Sequence, residues 1–195
     1  MASKYLSYAE LARREALGRD YRVRVSEVRG ARLLVAAPHG GMIEQGTSEI
    51  ACLIAGREYS LFIFEGIKPY GSNRDLHITS HQFDHPDCLA MAARCESVLG
   101  VHGCVGEARI HVGGLDAELK TRLAMRLTDA GFAVDADSER YPGRHRHNIC
   151  NRGSRAMGAQ LEITHDLRIG AALEIASAVR AALPSPHEAR SAAAG

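Results

Sequence analysis

Tryptophan is absent from this 195-residue chain and aromatic residues make up only 5% of it, which leaves little stacking surface for nucleic-acid bases. An excess of either charge is missing too. Lys+Arg 24 against Asp+Glu 23 gives a formal net charge of +1, so no global field draws the chain to nucleic acid or to an anionic membrane. No apolar run approaches the ~18 residues that a membrane span needs. The five cysteines, Cys52, Cys88, Cys95, Cys104 and Cys150, are odd in number and scattered, with no Cys-x-x-Cys pair. A chain of this length needs no disulfide staples, and reduced thiols are expected. Met1 to Tyr5 carry no basic-then-apolar signal segment, so a cytoplasmic protein is expected.

What is present is an ordinary globular composition, 46% hydrophobic and 24% charged. The length suits one domain that buries about 70% of the surface its unfolded form exposes. The exception is histidine, with ten residues in an electrically neutral chain. Histidine is the commonest metal ligand and the side chain that titrates nearest neutrality, so the count directs attention to where these residues fall.

Residues 21–28 alternate apolar and polar, the pattern of a half-exposed strand. Residues 32–38 form a short apolar run closed by Pro38 and two glycines, as a strand buried on both faces does. Further strands are expected over 59–64, 76–79, 98–102, 108–112, 132–134 and 159–164. Helices are expected over 8–17, from Thr47 or Ser48 to 55, over 84–99 with Asp84 as N-cap, over 116–130 before Gly131, and over 167–183. Residues 141–155 read as a loop rich in Gly, Arg, His and Asn, and 184–195 as a flexible tail. Strands alternating with helices define an α/β class, with one domain over residues 1–183 and a mixed, mainly parallel β-sheet between helices.

In such sheets, sites form where strands end at their carboxyl edge. The buried run at 32–38 delivers His39 into Gly40-Gly41, and Glu44 follows five residues later, a spacing that needs a loop to bring both side chains to one centre. A second apolar strand ends at His102-Gly103. Two imidazoles and one carboxylate, with a fourth position open to water, make a hydrolytic zinc site. His77 and His81, in the segment from Asn73 to Asp84, are further candidates as ligands or as binding or structural residues. The basic loop His145-Arg-His-Asn-Ile-Cys-Asn-Arg152 reads either as solvated surface or as a carboxylate clamp, since Arg matches a carboxylate bidentately and Asn adds a donor. Glu162 stands inside the apolar strand Ala159-Gln-Leu-Glu-Ile163. A buried carboxylate is expensive unless it is paired or serves a site, which makes Glu162 the candidate general base.

Taken in order, these segments resemble the poly-γ-glutamate hydrolase family of bacteriophages and of bacteria with phage-related genes. The resemblance rests on Ala37-Pro-His-Gly-Gly-Met-Ile-Glu-Gln-Gly-Thr-Ser-Glu-Ile-Ala51, Phe64-Glu-Gly66, Leu76-His-Ile-Thr-Ser-His-Gln-Phe-Asp84, Val101-His-Gly103, Val112-Gly-Gly114, Asn148-Ile-Cys-Asn-Arg152 and Gln160-Leu-Glu162. It implies a zinc-dependent hydrolase with a fold similar to the carboxypeptidase A-like metallopeptidases, acting on the γ-linked amide of polyglutamate. By motif, His39, Glu44 and His102 would bind Zn2+, Glu162 would act as general base, and Arg152 with Asn151 would contact a substrate carboxylate. His81 and His85 depart from the expected pattern, which bears on the substrate pocket more than on the metal.

Two other classes compete. A cysteine hydrolase would use Cys104 near His102 or Cys150 near His147. A non-catalytic module would bind an acidic peptide or polyglutamate through Arg144, Arg146, Arg152 and Arg155, and a drifted relative would hydrolyse another acidic amide. The expected partner is a polyanionic glutamate polymer or acidic peptide, without nucleic acid or membrane.

Overall fold

The computed structural model describes residues 3–184. The tail expected over 184–195 therefore lies, apart from Pro184, outside the described residues. Seven strands, β1 (Tyr21–Ser26), β2 (Leu33–Gly41), β3 (Ser60–Gly66), β4 (Ser97–Cys104), β5 (Ile110–Gly114), β6 (Val134–Asp135) and β7 (Ala159–Thr164), form one sheet in the order β1-β3-β2-β4-β7-β5-β6. The centre, β3-β2-β4-β7, is parallel, β5 pairs antiparallel with β7, and β1 pairs antiparallel with β3. This is the mixed, mainly parallel sheet expected of an α/β domain.

Alternation along each strand sorts side chains to two faces. On one face Val35, Ala37, Ile63, Leu99, Val101, Val112, Leu161 and Ile163 pack against α2 (Thr47–Ala55), α4 (Ala117–Asp129) and α6 (Ala172–Ala182). On the other, Leu34, Ala36, Phe62, Phe64 and Val98 meet Leu11 of α1 (Tyr8–Ala12), the buried side of α3 (Pro86–Arg94), and Leu76, Ile78, Phe83 and Ile149 from irregular segments. Every residue of β2 from Leu33 to Gly40 is buried, as its uninterrupted apolar run requires between two covered faces.

Several boundaries differ from the sequence expectation. Residues 76–79 are not a strand. Leu76 closes a single 3-10 turn (Asn73–Leu76), and Leu76 and Ile78 alternate because both drop into the second core, not because they pair with a neighbour. The helix expected over 84–99 stops at Arg94. Glu96 and Ser97 both donate backbone N–H groups to Arg32 O, and Val98 then belongs to β4 beside Leu34. Its N-cap is His85, whose ring nitrogen accepts from Asp87 N, not Asp84. The first helix is only Tyr8–Ala12, since the chain then turns around Asp20, whose carboxylate accepts from Ala16 N. The last helix is broken at Ala171 into α5 (His165–Gly170) and α6. Among the described residues, no helix is long and apolar enough to cross a membrane.

Candidate metal centre

The carboxyl ends of β2 and β4 lie side by side in the sheet, and both end in a His-Gly step. At Gly41 the backbone enters the left-handed region (φ 62°), which glycine tolerates, and a side chain at Gly40 would strike Ser48 and Ile63. The chain therefore folds straight back. Glu44 N donates to His39 O at 2.9 Å and α2 begins at Thr47, whose hydroxyl donates to Glu44 O at 2.8 Å. The five-residue spacing becomes a tight loop with both side chains turned to one point.

His39 Nε2 lies 2.8 Å from Ile78 O, a carbonyl that can only accept, so this nitrogen carries the proton. The lone pair of Nδ1 is thereby aimed at Glu44 Oε1, 3.3 Å away, and at His102 Nδ1, 3.2 Å away. The second Glu44 oxygen accepts from Gly103 N at 2.7 Å. His102 Nε2 lies 3.4 Å from Ser80 Oγ. His77 stacks on His39 with ring centroids 4.0 Å apart and puts Nε2 3.8 Å from Glu44 Oε1. Ligand atoms of His39, Glu44 and His77 all lie within 4.8 Å of one another.

The donor set suits a cation. His39 is 2% and His102 1% exposed, and Glu44 is largely buried, yet the atoms that converge are a lone pair, a second imidazole nitrogen and a carboxylate oxygen. Acceptors do not satisfy one another, so such a set holds a shared proton or a metal ion. Charges respond accordingly. Burial pushes Glu44 up, but His39, His102 and the Gly103 N–H outweigh it and hold the carboxyl down at about 2. Burial, then the charge of His39, lowers His102 to about 3. The charge of His39, then burial, lowers His77 to about 4. His39 itself is raised by Glu44 against the opposing effect of burial.

Glu162 sits one strand further on. His102 of β4 is paired with Glu162 of β7, and Glu162 with His111 of β5, so the three share one face of the sheet. Burial and then the charge of Glu44 push its carboxyl well above the usual value, opposed by Arg168. Arg168 is a buried cation that sequence reasoning did not single out. Its guanidinium donates to Gln45 O at 2.7 Å, to Cys104 O at 3.3 Å and to Ile163 O. It lies against Gly103, where a Cβ would collide with it. Also missed was His111, whose Nδ1 lies 2.9 Å from Asp135 Oδ2 and 3.1 Å from the buried Ser138 Oγ. The available signal was a histidine between Ile110 and Val112, a polar residue on the alternate face of an apolar strand.

The remaining candidates separate. Arg152 is half-buried and has no ion pair among the described residues, whereas Arg144 pairs with Asp137 at 2.8 Å and Arg155 with Asp116 at 3.2 Å. Asn151 is 2% exposed and spends its amide inside the loop. It donates to Gly143 O at 2.7 Å and His145 O at 3.0 Å and accepts from Leu115 N at 3.3 Å. His81 is exposed, with its ring 4.9 Å from that of His145. The thiols are poor nucleophiles. Burial raises Cys104 to about 11 and raises Cys150 strongly, and both ring nitrogens of His102 already face other groups.

The fold and this donor set define an α/β protein with a buried His/Glu centre at the carboxyl edge of parallel strands. The chain belongs to the poly-γ-glutamate hydrolase family, whose sequence profile matches residues 5–174. It is 38% identical over 170 residues to the SPbeta prophage-derived protein YoqZ of Bacillus subtilis (86% of this chain, 61% of that protein). It is 38% identical over 167 residues to YndL of the same organism (84% and 65%). The chain thus spans less than two thirds of the length of these relatives. Among solved structures, a bacteriophage poly-γ-glutamate hydrolase superposes over the whole of both chains with a TM-score of 0.89 at 27% identity. A zinc-free apo form of YndL superposes with a TM-score of 0.79 at 37% identity, covering 86% of this chain and 83% of that one.

Proposed function

We propose that this chain hydrolyses γ-glutamyl amide bonds of poly-γ-glutamate, with zinc held by His39, Glu44 and His102 and with Glu162 as the general base. The observation that carries the reading is that His39 Nδ1 lies 3.3 Å from Glu44 Oε1 and 3.2 Å from His102 Nδ1, one strand from the half-buried carboxylate of Glu162. Family membership supports the same chemistry, and the relative described as zinc-free supports the choice of metal.

His102 is preferred to His77 as the third ligand on geometry. A metal lies in the plane of each imidazole, along the lone pair. The Nδ1 atoms of His39 and His102 lie 3.2 Å apart with the rings tilted by 58°, whereas His77 is stacked on His39 at 29°. His77, about a third exposed, borders the centre on its open side.

When bound, zinc supplies a Lewis acid and a water acidified to a pKa of about 7. Glu162 takes up the proton of the attacking water and passes it to the leaving amine; its raised affinity for protons suits it to hold one between the two transfers. Arg152 holds a substrate carboxylate or the developing oxyanion, and His77 and His81 serve as further substrate contacts. Asn151 serves through the loop it ties together. Poly-γ-glutamate incubated with the zinc-loaded chain should shorten, as read by gel filtration, and chelator should stop this while thiol alkylation does not. Intact polymer in the presence of zinc would reject the reading.

A further inference from the structure

The histidine excess is not exhausted by the metal centre. His81, on the segment leading into α3, and His145 and His147, on the 141–155 loop, meet at the surface, with ring centroids 4.9 Å apart for His81–His145 and 5.3 Å for His145–His147. Desolvation, then the charges of Arg146, Arg152, His145 and His81, hold His147 below the usual histidine range, so five cationic or titratable groups crowd one spot. Among the described residues none of the five has an ion-pair partner, although Arg144 and Arg155 of the same loop do. His85 and Asp84, on the neighbouring segment, face elsewhere. His85 packs on Tyr8 and Phe62, and Asp84 accepts from Tyr8 N.

The two segments are tied together beside the centre. Ile149 N donates to Ser80 O at 3.2 Å, and the hydroxyl of Ser80 touches His102. Asn148 Nδ2 donates to Gln160 Oε1 at 2.8 Å on the strand that carries Glu162. The cluster is therefore a rim of the same site. The guanidinium charges and any protonated ring on this rim repel one another, and a polyanion laid across them would relieve that repulsion.

We infer that His81, His145 and His147, with Arg146 and Arg152, form a proton-dependent docking surface that captures successive carboxylates of an acidic polymer beside the metal centre. This rests on the hydrolase reading and adds to it where the polymer is held and what regulates the hold. Histidine is the side chain whose ordinary charge change falls between about pH 5 and 8, whereas the carboxylates of a glutamate polymer stay ionised down to about pH 5. Between those limits the rim gains charge while its ligand keeps its own. Bound carboxylates in turn favour the protonated rings, so proton uptake and capture reinforce each other.

The test measures binding of fluorescent poly-γ-glutamate by anisotropy to chain carrying Glu162→Gln, which prevents cleavage during titration. Kd should fall about tenfold or more between roughly pH 7.5 and 5.5 at fixed salt, with a steeper salt dependence at the lower pH. Adding His145→Gln and His147→Gln should reduce that change to under about threefold, while His165→Gln, an exposed histidine elsewhere, should leave it intact. Adding His147→Arg instead should give tight binding at both pH values, a gain that a misfolded loop would not produce. Equal pH dependence with and without the two glutamines overturns the inference. Cleavage of polymer by the unaltered chain together with pH-independent binding overturns the docking surface alone. Proton-dependent binding without any cleavage upholds the surface and overturns the hydrolase reading.

Discussion

At the scale of single residues, each group at the centre does something its neighbours cannot. His39 is fixed by Ile78 O, so its free nitrogen has one direction to face. Glu44 divides its two oxygens between the centre and Gly103 N. Glu162 lies in the next strand without a hydrogen-bonded base of its own, held between the charge of Glu44 and that of Arg168. Replacing Glu162 by Gln keeps the shape and removes the proposed base. The expected result is a loss of about 10²–10⁴-fold in polymer hydrolysis with the metal content unchanged by elemental analysis. Near-normal turnover would remove Glu162 from the role. His102→Ala should lose stoichiometric zinc, whereas His77→Ala should keep it; the reverse pattern would make His77 the third ligand. His39, Glu44, His102 and Glu162 were all legible as candidates because each interrupts or ends an apolar run. Arg168 was not, because its role arises from carbonyls of residues 45, 104 and 163, far apart in the chain.

At the scale of elements, the central strands were readable from short apolar runs, closed by glycine in β2 and β4, and β2, β4 and β7 fall where those runs stand. Two segments failed, each because an apolar residue fits more than one local pattern. Leu76 and Ile78 imitate a strand while lying over the sheet, and Val98 extends a helical pattern although β4 claims it. The outer strand β1 is held to β3 partly by charge. Glu65, 3% exposed, faces Arg22 in register and receives Arg24 Nη1 at 3.5 Å. Burial pushes Glu65 up, but Arg22, then Ser48 and Arg24, outweigh it and hold it below its usual value near 4.5. A carboxyl with a depressed pKa contributes stability that is complete above the unfolded value and lost as pH falls through the folded one. Thermal denaturation should therefore show Tm declining as pH drops below about 4.5, and Glu65→Gln should lower Tm at neutral pH while flattening that decline. An unchanged slope in the variant would show that the acid sensitivity lies elsewhere.

At the scale of the whole molecule, the proposed function has a chain of net charge +1 meet a polyanion through local fields. A buried centre lies at the strand ends and a cationic rim beside it, while most of the other charges are paired. The proposed zinc site is assembled from side chains of β2, the loop before α2 and β4, so zinc held there would favour the folded form and stabilise it by mass action. Added zinc should raise Tm by roughly 5–10 °C at about a hundredfold excess over its Kd, and chelator should reverse the shift. A Tm indifferent to zinc would separate the fold from the ion. By itself the sequence determined the α/β class, the positions of the main strands along the chain and the residue types of the centre, because these follow from local periodicity, glycine placement and polar residues set against apolar runs. Only the tertiary structure decided which histidines meet, since ring nitrogens 63 positions apart in the chain come within 3.2 Å through strand order alone. It also decided that Asn151 is spent inside its loop, that Arg168 counters the buried acids, and that three surface histidines from two segments share one rim. Those outcomes depend on which strands are neighbours, and no local pattern encodes that.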